Sequence, residues 1–288
     1  VLVAGEVTRG SRRWIELGFF KFQPSEFGKL LLVLSIAGFL AARSKRLDDP
    51  RTPAAAVGLA VLPAVLVFVE PDIGTSLVYG GALAAMLFVA GLRWLHVVVL
   101  AAAAALTVVA VLWALPSAGV DVLKPYQVDR LTAFLNPDKN PRGLTYNQNQ
   151  SKTAVGAGGL HGRGVEGATQ TNLDYLPEHA TDFIFASYAE QRGFVGAAVL
   201  LALYLLVVWR GLRIVAKARN AFSAIAAAGI VAAFLFQVFV NVGMTIGIAP
   251  ITGIPLPFVS VGGSSLISNL LAVGVLQAIG ARSRRERL

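Results

Sequence analysis

One stretch concentrates the groups that could do acid–base work. In Tyr175-Leu-Pro-Glu-His-Ala-Thr-Asp-Phe-Ile-Phe-Ala186, two carboxylates, Glu178 and Asp182, and one imidazole, His179, stand where a long polar segment gives way to an apolar one. An ionisable group at such a boundary is costly to keep and is a functional candidate by default. A carboxylate there could take the proton of an attacking hydroxyl. Its position also has a structural reading. Thr181 could cap a helix, and Asp182 in the first turn would favour the helix dipole. The dipole would hold the carboxylate ionised, whereas an apolar cavity would oppose ionisation. Both readings stay open. A second pair, Glu26 and Lys29, is spaced i,i+3 and so shares one helix face. It is either a structural ion pair or the polar lining of a cavity. In Glu70-Pro-Asp-Ile-Gly-Thr-Ser76, Asp72 is placed to favour the start of the next helix.

Other chemistries find little support. The glycine run from Gly156 to Gly164 fits neither a phosphate-cradling G-x-x-x-x-G-K-[ST] loop nor a strand–G-x-G-x-x-G–helix unit. It reads as loop geometry. There is no cysteine, and the three histidines, His96, His161 and His179, are scattered, so no metal cluster is indicated.

The elements that must position these groups are membrane helices. Charged residues make up 14% of the 288 residues and hydrophobic ones 56%, against about 25% charge in soluble domains. Apolar runs at 27–42, 54–69, 73–91, 95–115, 183–209, 221–249 and 258–281 give seven spans, the first two recruiting flanking residues to cross. The fold class is all-α, a polytopic integral membrane protein. Ser25 is placed to cap the first span, with Pro24 ahead of it. The opening Val-Leu-Val-Ala-Gly reads as the tail of a further helix, which implies spans ahead of Val1.

The net charge of +9 does not indicate a nucleic-acid partner, because of where it lies. Basic residues cluster at 43–51, at Arg93, at 210–219 and at 282–287, while the alternate short loops at 70–72 and 249–260 hold no Lys or Arg. That alternation is the positive-inside pattern. It puts 43–53, 210–220 and 282–288 in the cytoplasm and residues 116–181 outside. The 116–181 segment is long, polar and proline-containing, with a patch at Gln150-Ser-Lys-Thr-Ala-Val155 suited to a short helix. It lacks the apolar residues for a core of its own. It is therefore read as one large extracytoplasmic loop folded onto a single membrane domain spanning residues 1–288.

Six motifs in order resemble the SEDS family (shape, elongation, division, sporulation). They are Arg13-Trp-Ile-x-Leu-Gly18, Phe22-Gln-Pro-Ser-Glu-Phe-Gly-Lys29, the Glu70 to Ser76 turn, Gln150-Ser-Lys152 with its glycines, the Tyr175 to Ala186 stretch, and Pro255-Leu-Pro-Phe-Val-Ser-Val-Gly-Gly-Ser264. Gly167-Ala-Thr-Gln170 is closer to members that act in elongation than to their division counterparts. The resemblance implies a ten-span helical fold in the bacterial cytoplasmic membrane. It implies a peptidoglycan glycosyltransferase that polymerises lipid II into nascent glycan. It implies a class B penicillin-binding protein as partner, packed against lipid-facing spans. The family's essential aspartate falls on Asp182, and its paired Glu and Lys on Glu26 and Lys29. Inversion at the sugar needs one base and charge stabilisation for the departing lipid diphosphate. Asp182 is then the base. Lys29, Arg130 and Lys152, or a divalent cation such as Mg2+, are candidates for the leaving group, and Glu178 lies close by. Two departures stand out. Ala180 takes the place where many members have His, with His179 one residue earlier, and a common Glu-Glu pair is Glu190-Gln191. Two other functions fit part of the pattern: a flippase moving lipid II across the membrane, and a scaffold that only recruits cell-wall enzymes.

Overall fold

The computed structural model describes residues 6–8, 11–16, 18, 21–70, 72–117, 119, 127, 128, 130, 134 and 144–285. The helix tail expected at residues 1–5 lies outside them. The first described element departs from an all-helical reading. It is a small antiparallel ribbon of β1 (Glu6–Thr8), β2 (Ser11–Glu16) and β3 (Lys21–Phe22), in that order. Ile15 pairs with Phe22 and Glu16 with Lys21, whose side chains form an exposed ion pair at 2.9 Å. Gly18, at φ 75°, supplies the left-handed turn between β2 and β3. The segment is too short and too charged to continue as a span, so it closes locally as a hairpin.

Helices follow: α1 (Pro24–Ala42), α2 (Arg51–Val69), α3 (Ile73–Ala90), α4 (Trp94–Val109), α5 (Leu144–Gly158), α6 (Ile184–Lys217), α7 (Ala221–Ile246) and α8 (Gly263–Arg285). Six of them (α1, α2, α3, α6, α7 and α8) are long and apolar enough to cross a membrane. The seventh expected span is α4, which has 16 residues and runs on through a π turn at Ala110–Ala114 to Ser117. Only with that extension does it match about 30 Å of hydrocarbon at 1.5 Å per residue. Large apolar side chains such as Leu62, Phe88, Trp94, Trp113 and Leu205 point outward, while Glu26, Glu190, Gln237 and Asn241 are buried. Polar-in and apolar-out is the arrangement expected of a protein solvated by lipid.

Helix α7 is the hub. It packs against α1, α3, α5, α6 and α8. Its Ala226-Ala-Ala-Gly229 segment lets neighbours come close, and a side chain at Gly229 would stand 2.7 Å from both Met86 and Val33. The helix starts are not all as the sequence suggests. Asp72 caps α3, its carboxylate accepting from the Thr75 amide at 3.1 Å and hydroxyl at 2.8 Å. In α1, however, Gln23 is the cap and Pro24 the first helical residue, as suits its missing N–H. Ser25 therefore falls inside the helix, with its hydroxyl 3.4 Å from Asp72.

The largest departure lies in α6. Gly193, at φ 67° and ψ −168°, breaks it into a short helix from Ile184 and a long one ending at Lys217. Such angles belong almost solely to glycine. The break leaves amides without their i−4 partners, and the glycine run supplies replacements. The Phe194 and Val195 amides donate to the carbonyls of Gly159 and Leu160 at 2.9 and 3.1 Å, and the Arg163 amide donates to the Glu190 carbonyl at 2.9 Å. A side chain at Gly158, Gly162 or Gly193 would collide with the facing backbone. The run read as loop geometry thus joins main chain to main chain across a helix break.

Candidate active site

Asp182 precedes the short helix of α6. Phe183 is the helix cap, so Asp182 lies just outside the first turn and Thr181 does not cap it. Thr181 instead donates its hydroxyl to Glu178 at 2.9 Å, within a turn where Glu178 adopts φ 57°. The segment from Ala180 to Asp182 is held by its main chain. The Val261 amide donates to the Ala180 carbonyl at 3.0 Å, and the Ser260 hydroxyl to the Thr181 carbonyl at 2.6 Å. Asn241 of α7 donates to the Asp182 carbonyl at 3.0 Å and, with its second N–H, to the Ile254 carbonyl at 2.8 Å. Two segments far apart in sequence thus fix one aspartate.

Its carboxylate is half-buried beside Gly253. A side chain at Gly253 would stand 3.4 Å from an Asp182 carboxylate oxygen and 4.0 Å from the Arg130 guanidinium. Gly253 has φ 75°, a conformation that favours glycine, so space beside the carboxylate is kept by backbone geometry. Arg130 is oriented by donating to the Thr252 carbonyl at 3.2 Å. The arrangement brings a carboxylate and a guanidinium to one glycine. Chemically, that is a proton acceptor near a cation suited to phosphate oxygens.

The other expected residues lie elsewhere. Glu178 is one turn before Asp182 and bonded to Thr181. Lys152, exposed on α5, lays its stem across Gly247 at the C-terminal end of α7, where a cation is also favoured by the helix dipole. Its helix is docked there by Ser151, which donates to the Thr245 carbonyl at 2.8 Å. Glu26 and Lys29 form a separate buried pair at 2.8 Å, with side chains 2% and 8% exposed. Lys29 also borders a cavity of about 40 Å³ between α1, α6, α7 and α8, lined by apolar residues together with Gln237, Ser268 and Asn269. His179 directs Nδ1 toward the Leu176 carbonyl at 3.3 Å. Among the described residues, no three His, Asp or Glu side chains converge to hold a metal ion. A Mg2+ ion that takes most of its ligands from a diphosphate and water would need only one or two carboxylates.

Asn241 and Gly253 were not legible as site residues from sequence. The signal for Asn241 was available, since Gln237, Asn241 and Thr245 make a polar i, i+4, i+8 stripe inside an apolar span. Gly253 carried none. Glu190 also changes meaning. It is fully buried and accepts from the amides of Gln170 and Thr171 at 2.9 and 3.0 Å and from the Thr171 hydroxyl at 2.8 Å. It tethers the loop to α6.

Residues 1–285 match the FtsW/RodA/SpoVE family, described as cell cycle proteins. The chain is 38% identical over 275 residues to the peptidoglycan glycosyltransferase MrdB of Escherichia coli K12, covering 96% of this chain and 72% of that protein. It is 40% identical over 281 residues to stage V sporulation protein E of Bacillus subtilis 168, covering 97% and 74%. Among solved structures, it superimposes on a chain from a peptidoglycan synthase complex in which polymerisation and crosslinking are coordinated. The TM-score is 0.81 at 33% identity, covering 98% of this chain and 77% of that one.

Proposed function

The chain belongs to the FtsW/RodA/SpoVE family and is a peptidoglycan glycosyltransferase, and we propose that it polymerises lipid II with Asp182 as general base. The observation that supports this role is the fixing of Asp182 by Asn241, Ser260 and Val261 beside the glycine that Arg130 also flanks. In the reaction, the acceptor hydroxyl oxygen bonds to the anomeric carbon as the bond to the lipid diphosphate breaks. The hydroxyl proton passes to Asp182, and the diphosphate leaves with the bonding electrons. One displacement inverts the α-linked sugar to the β-linked polymer, so no covalent enzyme intermediate is needed. Arg130 is placed to stabilise charge developing on the diphosphate, an electrostatic role that is often the largest in such sites. Lys152, Glu26 and Lys29 are assigned to holding the loop and the bundle around it.

The protein crosses the membrane several times. The reading extends to an orientation in the bacterial cytoplasmic membrane with the Asp182 end outside and the basic loops inside. It extends to a role in elongation, supported by Gly167-Ala-Thr-Gln170, and to a class B penicillin-binding protein as partner. The test is glycan formation from purified lipid II in detergent, with and without that partner. Detergent removes any need for transport across a bilayer, so a flippase or a scaffold would yield no polymer. A polymerase yields glycan chains.

A further inference from the structure

At the end of the bundle away from Asp182, α6 and α8 run side by side and leave a groove of about 480 Å³. Volumes of this order hold small molecules and head groups. Arg210, Arg213 and Lys217 line it from α6, at i, i+3 and i+7, and therefore on one face. Its walls are apolar, with Leu206, Val207 and Ile214 facing Val273 and Leu276, and Gln277 and Ser283 adding polar groups from α8. Among the described residues, no acidic one lines it. Gly280 stands 3.3 Å, measured from the place of an added side chain, from Ile214, so the two helices meet there and close the groove's floor. The Arg213 guanidinium also lies over the exposed Trp209 ring, 3.9 Å from its centroid, an aromatic–cation pair of the kind found at the level of lipid head groups.

Two structural roles account for part of this charge. Cations in the last turn of α6 complement its dipole, and basic residues at this end set topology. Neither explains why three cations share one helix face and turn into a groove with apolar walls. We propose that this groove binds the phosphate head group of an anionic phospholipid. The guanidinium groups of Arg210 and Arg213 and the ammonium of Lys217 meet the phosphate, and the acyl chains run along the apolar walls toward the exposed faces of Leu206 and Leu203. A lipid fits better than a free anion because the walls continue the lipid-facing surface of both helices. Basic pockets between spans at the cytoplasmic side recognise head groups in this way.

The test uses the full chain, delipidated in neutral detergent and titrated with phosphatidylglycerol or phosphatidylcholine, with bound lipid read by native mass spectrometry. The unaltered chain retains phosphatidylglycerol about tenfold or more tightly than phosphatidylcholine, and the preference falls with added salt. Arg210→Gln, Arg213→Gln and Lys217→Gln together abolish the preference. The same change at Arg43, Lys45 and Arg46, basic residues outside the groove, leaves it in place. A photoreactive residue in place of Gln277, in an otherwise unaltered chain, captures labelled phosphatidylglycerol whether or not the triple variant folds. Equal binding of the two lipids, no capture at position 277, or an unchanged preference in the triple variant each overturns the proposal. Complete displacement by inorganic phosphate also overturns it, since the site would then be one for a free anion.

Discussion

Asp182 and Glu190 stand eight residues apart on one stretch of chain and are held in opposite ways. Glu190 is fully buried, and its carboxylate oxygens accept three hydrogen bonds from Gln170 and Thr171. Its charge serves to hold the loop. Asp182 is fixed through the main chain instead, by bonds to its own carbonyl and to those of Ala180 and Thr181. Its side chain is thereby positioned beside Gly253. A carboxylate that donors have saturated is a poor base. The Asp182 carboxylate stands instead beside Gly253, which the Arg130 guanidinium also flanks. The contrast is between a carboxylate ringed by donors that tie down a loop and one aimed at a glycine, the placement that supports the proposed base.

Changes at the two residues should therefore fall on different observables. Asp182→Asn keeps the shape and all the backbone bonds, and should lower polymerisation by about 10²–10⁴-fold, the usual worth of a general base. Its melting temperature should stay near that of the unaltered protein. Next in size is the buried pair in α1. Lys29→Ala should cost about 3–5 kcal/mol by leaving Glu26 buried and unpaired, and replacing both should cost less than the sum. Thermal unfolding in a double-mutant cycle checks this, and simple additivity would remove the pairing. Glu190→Ala orphans the Gln170 and Thr171 donors at about 1–3 kcal/mol for each group left buried. Hydrogen exchange should show the 164–172 segment released. Gly193→Ala forces a side chain into a glycine-only conformation, costing about 1–3 kcal/mol before its collision with the facing backbone is counted. Glu178→Gln should have the smallest effect, since Gln can still accept from Thr181. A large loss of activity there would move the base one turn toward the loop.

Much of the framework can be read from the chain because hydropathy and charge act locally. Apolar runs place the helices, and the i,i+3 spacing of Glu26 and Lys29 anticipates their pairing. What the sequence does not carry is pairing between distant segments. The break at Gly193 is invisible in an apolar run. It becomes intelligible only when the Gly159 and Leu160 carbonyls are found accepting its displaced amides. The same applies to Asp182. Its type and position mark it as a candidate, but the bonds that fix it reach Asn241, 59 positions from Asp182, and Ser260, 79 positions from Thr181. Helix capping also misled, because Phe183 rather than Thr181 is the cap. That places Asp182 outside the helix, where main-chain bonds rather than the first turn decide its orientation.

The comparison is tested most directly by measuring glycan-chain formation from lipid II in detergent and melting temperature on the same preparations of Asp182→Asn and Glu190→Gln. The account predicts that the Asp182 variant melts like the unaltered protein and makes essentially no glycan. It predicts that the Glu190 variant melts lower yet polymerises at a near-normal rate below its transition. Near-normal polymerisation by the Asp182 variant would contradict the assignment of Asp182 as the base.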